Sequence, residues 1–269
     1  MAQSDAPLTR FAGESWNTAF SMHARVVGAV IMRDMQTRFG ASYAGFLLGL
    51  IMPLGHLGIA IGILSLIGRV PPVGQGSVPF LLTGVLPFVV WFYCHRQIMI
   101  CFAQNKPLLY FPGVDVFDIL VARTITEIAS GTLVIVTLLF AVAAIGYDVT
   151  PHDIINFSYG LILTWSFGIA TGIIFGATGV LWPPMIMAGS LLTPLFWISS
   201  GILYLPEAMP DRIQMILNFL PLCQIVEGIR TSFFSEYQSS FYNPHILYIS
   251  IIFLLAVGIM FIGFVRKIG

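Results

Sequence analysis

The residues able to carry chemistry in this chain are few, and their spacing excludes more than it offers. Two lysines are present, Lys106 before a proline and Lys267 before an isoleucine. A phosphate-binding loop needs a lysine followed by Ser or Thr, so that ammonium and hydroxyl hold nucleotide phosphate and magnesium together. Neither lysine fits, which excludes ATP hydrolysis by this sequence. No HExxH, CxxC or GxSxG run occurs. The five histidines are scattered. His56 and His95 fall in apolar runs, where a packed or hydrogen-bonded role is expected over a proton relay. Cys94 and Cys101 stand roughly 10 Å apart along one helix, too far for a disulfide. With Cys223 they are expected as small buried hydrophobes. Ionisable groups within an apolar run are functional candidates by default. The clearest is Glu127, with Arg123 one turn earlier; their i,i+4 spacing allows a salt bridge. It is expected to make burial tolerable rather than to act on a substrate.

The elements that position these residues follow from composition. The 269 residues are 57% hydrophobic and 9% charged, with twelve basic and twelve acidic side chains and a mean hydropathy of +0.91. Soluble domains carry about 25% charged residues. A soluble globular protein, a basic nucleic-acid binder and a disordered tail are excluded. The expected fold is all-α and polytopic. A spanning helix needs roughly 20 apolar residues, and the gaps between charges supply them: 39–68, 70–95, 128–147, 154–206 and 237–265. The 53-residue gap would make one helix of roughly 80 Å, so it must fold back, at Trp182-Pro183-Pro184. Six spans are expected, near 41–67, 79–103, 117–146, 154–181, 185–204 and 244–264. These runs are continuous rather than alternating, which argues against a β-barrel. The first long apolar run begins only near residue 40, so no cleavable signal peptide is expected.

Six spans put both termini on one side. That side carries Arg10, Arg25, Arg33, Arg38, Arg96, Lys106, Arg123, Arg266 and Lys267; the other carries Arg69, Arg212 and Arg230. Nine against three makes the terminal side cytoplasmic. The domain plan is a cytoplasmic N-terminus over 1–40, one transmembrane domain over 41–264 and a cytoplasmic tail over 265–269. Within 15–39, Trp16, Phe20, Val27, Ile31 and Met35 recur at helical spacing among Arg25, Arg33, Asp34 and Arg38. Such a helix lies on the membrane surface or on a partner. The loop 104–116 is broken by Pro107, Pro112 and Gly113 and carries Leu108, Leu109, Tyr110 and Phe111. An exposed apolar cluster of this kind is a contact site more often than a free loop. Segment 203–243 is too charged for another pass. Met209–Leu220 and Leu222–Phe234 read as amphipathic helices split by Pro221, with Glu227 and Arg230 at pairing distance. They form either an extracytoplasmic gate at membrane depth or a surface loop.

Aromatic residues make up 13% of the chain. Most are expected to pack against lipid or form interfacial belts; a minority could line a conduit, where ring faces suit the C–H faces of sugars. Tyr159 and Trp165, six apart, lie on opposite flanks of their helix. Scarce charge within the spans argues against a channel or secondary transporter, and the absent nucleophile and metal motifs argue against an intramembrane enzyme.

Several stretches together resemble a known family. They are Arg33-Asp-Met-Gln-Thr-Arg-Phe-Gly40, Gly45-Phe-Leu-Leu-Gly-Leu-Ile-Met-Pro-Leu-Gly-His56, Phe80-Leu-Leu-Thr-Gly-Val-Leu-Pro-Phe88, Asp118-Ile-Leu-Val-Ala-Arg123 through Glu127, Leu163-Thr-Trp-Ser166 and Pro194-Leu-Phe-Trp-Ile-Ser199. In order and spacing, over residues 30–265, the chain resembles capsular polysaccharide export permeases, the six-span membrane subunits of ABC transporters. The resemblance implies a non-enzymatic homodimeric permease of the bacterial inner membrane, which binds no cofactor itself. ATP and Mg are held by separate cytoplasmic ATPase subunits. It also implies a lipid-linked polysaccharide substrate, a periplasmic co-polymerase, an outer-membrane export channel and no nucleic acid. An O-antigen or another lipid-linked glycan is the alternative cargo. By the same resemblance Arg33, Asp34, Arg38, Phe39, Lys106, Pro107, Leu108 and Tyr110 meet the ATPase. Asn218, Pro221, Glu227 and Arg230 belong to the periplasmic gate, where relatives often read Asn-Pro-Leu and this chain reads Asn218-Phe-Leu-Pro221-Leu222. Arg33, Arg38 and Arg96 are candidates to meet an anionic lipid-linked terminus, their alternative being positive-inside topology and ordinary salt bridges. Arg96, Tyr159, Trp165 and Trp197 are the conduit candidates.

Overall fold

The computed structural model describes residues 16–39, 43–67, 73 and 76–268, with side chains over 20–36, 51–64, 66–67, 73 and 76–265. Among them there are helices and no strand: α1 (Trp16–Phe39), α2 (Tyr43–Ile67), α3 (Ser77–Gln104), α4 (Val116–Ala144), α5 (Ile154–Leu181), α6 (Pro184–Ser199), α7 (Asp211–Asn218), α8 (Pro221–Phe233) and α9 (Pro244–Ile268). A 3-10 turn, Lys106–Tyr110, sits between α3 and α4. Helices satisfy their own backbone polar groups, as hydrocarbon requires. The starts are written in the sequence. Asp115 and Asp118 form a capping box on α4, Asp153 caps α5, and Pro184, Pro221 and Pro244 open α6, α8 and α9.

Among the described residues four helices are long and apolar enough to cross a membrane: Ser77–Gln104, Val116–Ala144, Ile154–Leu181 and the Pro244–Val265 part of α9. Ile51–Leu64 and Pro184–Ser199 are shorter apolar stretches. The six apolar helices therefore stand where the charge gaps put them, within a few residues at most ends. One boundary is corrected: α6 stops at Ser199, not 204. Gly201 turns the chain at φ +78°, and Arg230 holds the carbonyls of Ile202 and Tyr204.

Helix α3 is the spine. Phe80, Leu81, Val85, Phe88 and Trp91 are fully buried. The Trp91 indole packs against His95, Phe167 and Phe196 and donates to Thr171 Oγ1 at 3.3 Å. Contacts give the direction of each helix. Gly168, Gly172 and Gly176 of α5 meet Cys94, Ile98 and Phe102 of α3 in rising order, so α3 and α5 run parallel. Helix α6 runs back, with Gly189 against Met99 and Phe196 against Trp91. Tyr248 of α9 meets Tyr159 and Gly258 meets Ile173, so α9 runs with α5. Its far end, at Ile262, joins Phe102, Val116 and Ile119 in a second core cluster. Helix α1 docks at that same end, hereafter the α1 end; α7 and α8 lie at the opposite, α8 end.

The Gly-x-x-x-Gly-x-x-x-Gly ladder of α5 lets two backbones approach closely, the usual device where no hydrophobic effect drives helices together. A Cβ on Gly172 would stand 2.6 Å from Ile98 Cβ and 2.9 Å from the His95 carbonyl oxygen. Gly172→Val is expected to cost about 1–3 kcal/mol by overpacking, read as a lower unfolding temperature in lipid nanodiscs. Wild-type stability in that variant would contradict the close approach.

Candidate functional site

Charged side chains are rare here, yet two clusters of them are buried, one at each end of α3. At the α1 end the hub is Arg123, which is 7% exposed, beside Asp34 at 4% and Glu127 at 2%. Arg123 Nη1 donates to Asp34 Oδ2 at 3.0 Å, and Nη2 donates to Gln97 Oε1. Its Nε stands 3.3 Å from Glu127 Oε1, a charge contact without hydrogen-bond alignment. Arg33 donates to Asp34 Oδ1 at 2.7 Å and to Asn105 Oδ1. His23 Nδ1 lies 2.7 Å from Asp118 Oδ1, whose other oxygen accepts the Asp115 amide. Only a planar guanidinium with several fixed donors can join three helices from one position. Arg33 and Arg123 balance Asp34 and Glu127, and α1 is pinned to α3 and α4 through these bonds.

This placement refines the expectations for α1. Asp34 turns inward to Arg123, while Arg33 keeps 40% side-chain exposure. The side chains of Arg38 and Phe39 lie outside the described residues. In the following loop Lys106 and Pro107 are exposed, and Tyr110 and Phe111 are 80% and 62% exposed. Leu108 and Leu109 instead pack against the second core cluster. Gly113, at φ +91°, lies close to Met22 of α1, so loop and helix share one end face.

At the α8 end Glu227 and Arg230 are fully buried, one turn apart and bonded at 2.9 Å. Arg230 also donates to the carbonyls of Tyr204 at 3.1 Å and Ile202 at 3.2 Å, and lies 4.1 Å over the Phe80 ring. A Cβ on Gly84 would meet Ile202 Cα at 2.9 Å; only glycine lets α3 pass there. The second Glu227 oxygen accepts the hydroxyls of Tyr237 at 2.6 Å and Ser239 at 2.9 Å. Burial and the Glu227 carboxylate push the Tyr237 hydroxyl above its ordinary range, so it donates at neutral pH. Glu207, missed at the level of sequence, continues the network. Its Oε1 accepts the Ser240 hydroxyl at 2.9 Å, the Phe241 amide at 3.1 Å and the Ser240 amide at 2.5 Å. Although burial opposes it, these donors hold the Glu207 carboxyl below its ordinary range. Gln224 ties Asn218 to Asn243, and Pro221 opens α8. Burial pushes the Cys223 thiol up to about 12; all three cysteines are buried and none forms a disulfide.

The four conduit candidates are not brought together. Arg96 is exposed on α3 and has no ion-pair partner among the described residues. Trp165 sits over Gly131 of α4, its buried Nε1 without an acceptor. Trp197 packs half-buried against the main core cluster. Tyr159 is 41% exposed and abuts Tyr248. From the α3–α5 register, Tyr159 lies roughly 16 Å from Arg96 along the bundle axis. His95 is a packed histidine, bonded to Thr171 Oγ1 at 3.0 Å and to the Gly189 carbonyl at 3.3 Å.

No protein-family model matches the chain. The chain is similar to curated proteins over most of its length. The capsule polysaccharide export inner-membrane protein CtrC of Neisseria meningitidis serogroup A is 26% identical over 87% of this chain and 89% of its own. The polysialic acid transport protein KpsM of Escherichia coli is 29% identical over 82% of this chain and 86% of its own. The capsule polysaccharide export inner-membrane protein BexB of Haemophilus influenzae is 22% identical over 92% and 94%.

Proposed function

We propose that this chain is the membrane-spanning permease subunit of an ATP-driven ABC exporter that moves lipid-linked capsular polysaccharide across the bacterial inner membrane. The observation that carries this reading is similarity to two capsule polysaccharide export inner-membrane proteins and a polysialic acid transport protein over 82–92% of the chain. Six passes fit the alternating helix directions. Helix α2 must return the chain from the α1 end to the start of α3, and α6, at 16 residues, covers roughly 24 Å. The basic asymmetry makes the α1 end cytoplasmic. With both lysines outside any phosphate loop, ATP is hydrolysed by partner subunits.

The α1 end face is the coupling surface. Arg33, Lys106, Pro107 and Tyr110 face outward there for an ATPase, while Asp34 and Arg123 transmit displacement of α1 to α3 and α4. A second copy of the chain completes the conduit against the exposed apolar faces of α2 and α6. Exposed Arg96, toward the cytoplasmic end of α3, meets the anionic lipid-linked terminus of the glycan, since a lone charge facing hydrocarbon is costly. Helices α7 and α8 form the gate on the periplasmic side, next to the co-polymerase and outer-membrane channel.

Deleting the gene in its host is expected to leave the surface glycan inside the cell. Unchanged surface glycan with altered ion flux overturns the reading, and intracellular O-antigen identifies the other glycan class. In the same strain, Tyr110→Asp with Phe111→Asp is expected to abolish recovery of the ATPase with the permease while the permease still folds. Undiminished copurification and ATPase activity would remove the loop from the coupling surface. Both residues are exposed, unlike Leu108, so the substitutions leave the core untouched.

A further inference from the structure

We propose that the cleft between α7 and the 238–243 loop is a subsite for uncharged sugar residues of the emerging glycan. The proposal rests on the export reading above and adds the chemical class that the gate prefers. The cleft measures about 540 Å³, within the ~300–1,000 Å³ of small-molecule sites. Its lining is polar with two aromatics, and no lysine or arginine is part of it.

The fold has already committed one side of Gln214, Asn218, Asn243 and Glu207. Gln214 donates both amide hydrogens, to the Glu207 carbonyl at 3.0 Å and the Met209 carbonyl at 2.8 Å, which leaves its carbonyl oxygen as an acceptor. Asn218 accepts from Gln224 at 3.0 Å, and Asn243 accepts the amides of His245 and Ile246; both keep their amide donors. Glu207 uses Oε1 for Ser240 and Phe241 and keeps Oε2. Asp211 is exposed and opens α7. Fixed acceptors and donors therefore line one cleft beside Tyr242. A sugar hydroxyl both donates and accepts, so a run of hydroxyls matches this mixed lining, whereas a carboxylate or phosphate matches only the donors. Glu207 and Asp211 with no cation in the lining would repel an anionic residue by Coulomb's law. The polar groups are preorganised, which lowers the cost of ordering them around a ligand.

The test uses the full chain in lipid nanodiscs with two probes: the uncharged tetramer of N-acetylglucosamine, and tetragalacturonate. Titration calorimetry with saturation-transfer NMR is expected to show saturable binding of the uncharged tetramer and at least tenfold weaker binding of tetragalacturonate. Among the described residues the exposed Asp211 carboxylate has no hydrogen-bond or ion-pair partner, so its variants should fold. Asp211→Ala should weaken the uncharged tetramer several-fold, and Asp211→Lys should raise tetragalacturonate binding at least tenfold. Equal binding of the two probes, no saturable binding of either, or insensitivity to both variants would overturn the subsite. Loss of the subsite with export still abolished by gene deletion leaves the export reading standing; intact export after deletion removes that reading itself.

Discussion

Arg123→Ala is expected to destabilise the folded protein by about 3–5 kcal/mol, the range for removing one partner of a buried ionic cluster. The loss is large because of what stays behind. Asp34 and Glu127, 4% and 2% exposed, would lose the guanidinium between them, and the Gln97 carbonyl oxygen would lose its donor. Arg123→Lys keeps a charge but cannot span Asp34, Gln97 and Glu127 at once, so it should recover only part of the loss. Arg123→Met with Glu127→Met and Asp34→Asn should be milder than Arg123→Ala alone, because it removes the three buried charges together and leaves only Arg33, whose side chain is 40% exposed. Chemical unfolding in nanodiscs measures each step. Hydrogen exchange over 23–36 separates the two consequences: release of α1 should raise exchange there before the bundle melts. A loss under 1 kcal/mol with unchanged α1 protection would mean that Arg123 does not hold this helix.

The same cluster shows where sequence stops being informative. Arg123 and Glu127 are four apart, and helical periodicity alone pairs them. Asp34 is 89 residues from Arg123, and no local pattern places it inward. A hint was present, since Asp34 is the only acidic residue in Trp16–Phe39. At the other end the i,i+3 spacing exposed Glu227 and Arg230, but Glu207 joins through amides 33 and 34 residues away. Long helices were legible because charge is scarce and every gap between charges has to be a helix in hydrocarbon. The α6 boundary was not, because a distant arginine, rather than hydropathy, ends the apolar run. The glycine ladder of α5 is visible in spacing, yet a hydropathy count passes over small residues. Aromatic types were legible and their walls were not: Trp165 faces α4, Trp197 the core, and Tyr159 lies exposed beside α9.

Glu227→Leu is expected to cost about 3–5 kcal/mol, because it leaves a buried arginine uncompensated. Arginine cannot escape by losing its proton. Its remaining contacts, the carbonyls of Ile202 and Tyr204 and the Phe80 ring, offer partial charges only. Tyr237 and Ser239 would lose their acceptor on Glu227 as well. Glu227→Gln keeps one carbonyl acceptor and should cost less, roughly 1–3 kcal/mol for the donors it strands. Glu227→Leu with Arg230→Leu should be less damaging than Glu227→Leu alone, since the lone charge is gone. A double-mutant cycle by chemical unfolding reads that coupling, and additive losses would show that the pair does not act as a unit. The mechanical consequence follows from the same bonds. Arg230 fastens α8 to the 202–204 turn and to α3, so α8 cannot swing by itself. On the proposed export reading, gate opening moves α7, α8, the turn and the Glu207 loop as one body, since Gln214 joins α7 to the Glu207 loop and Gln224 joins α8 to Asn218. Spin labels on Glu236 and Ser235, each measured against Met215, should hold a constant distance while the proposed exporter turns over with the ATPase that reading requires. A change of more than a few ångströms within that body would show that the ionic pair parts during export.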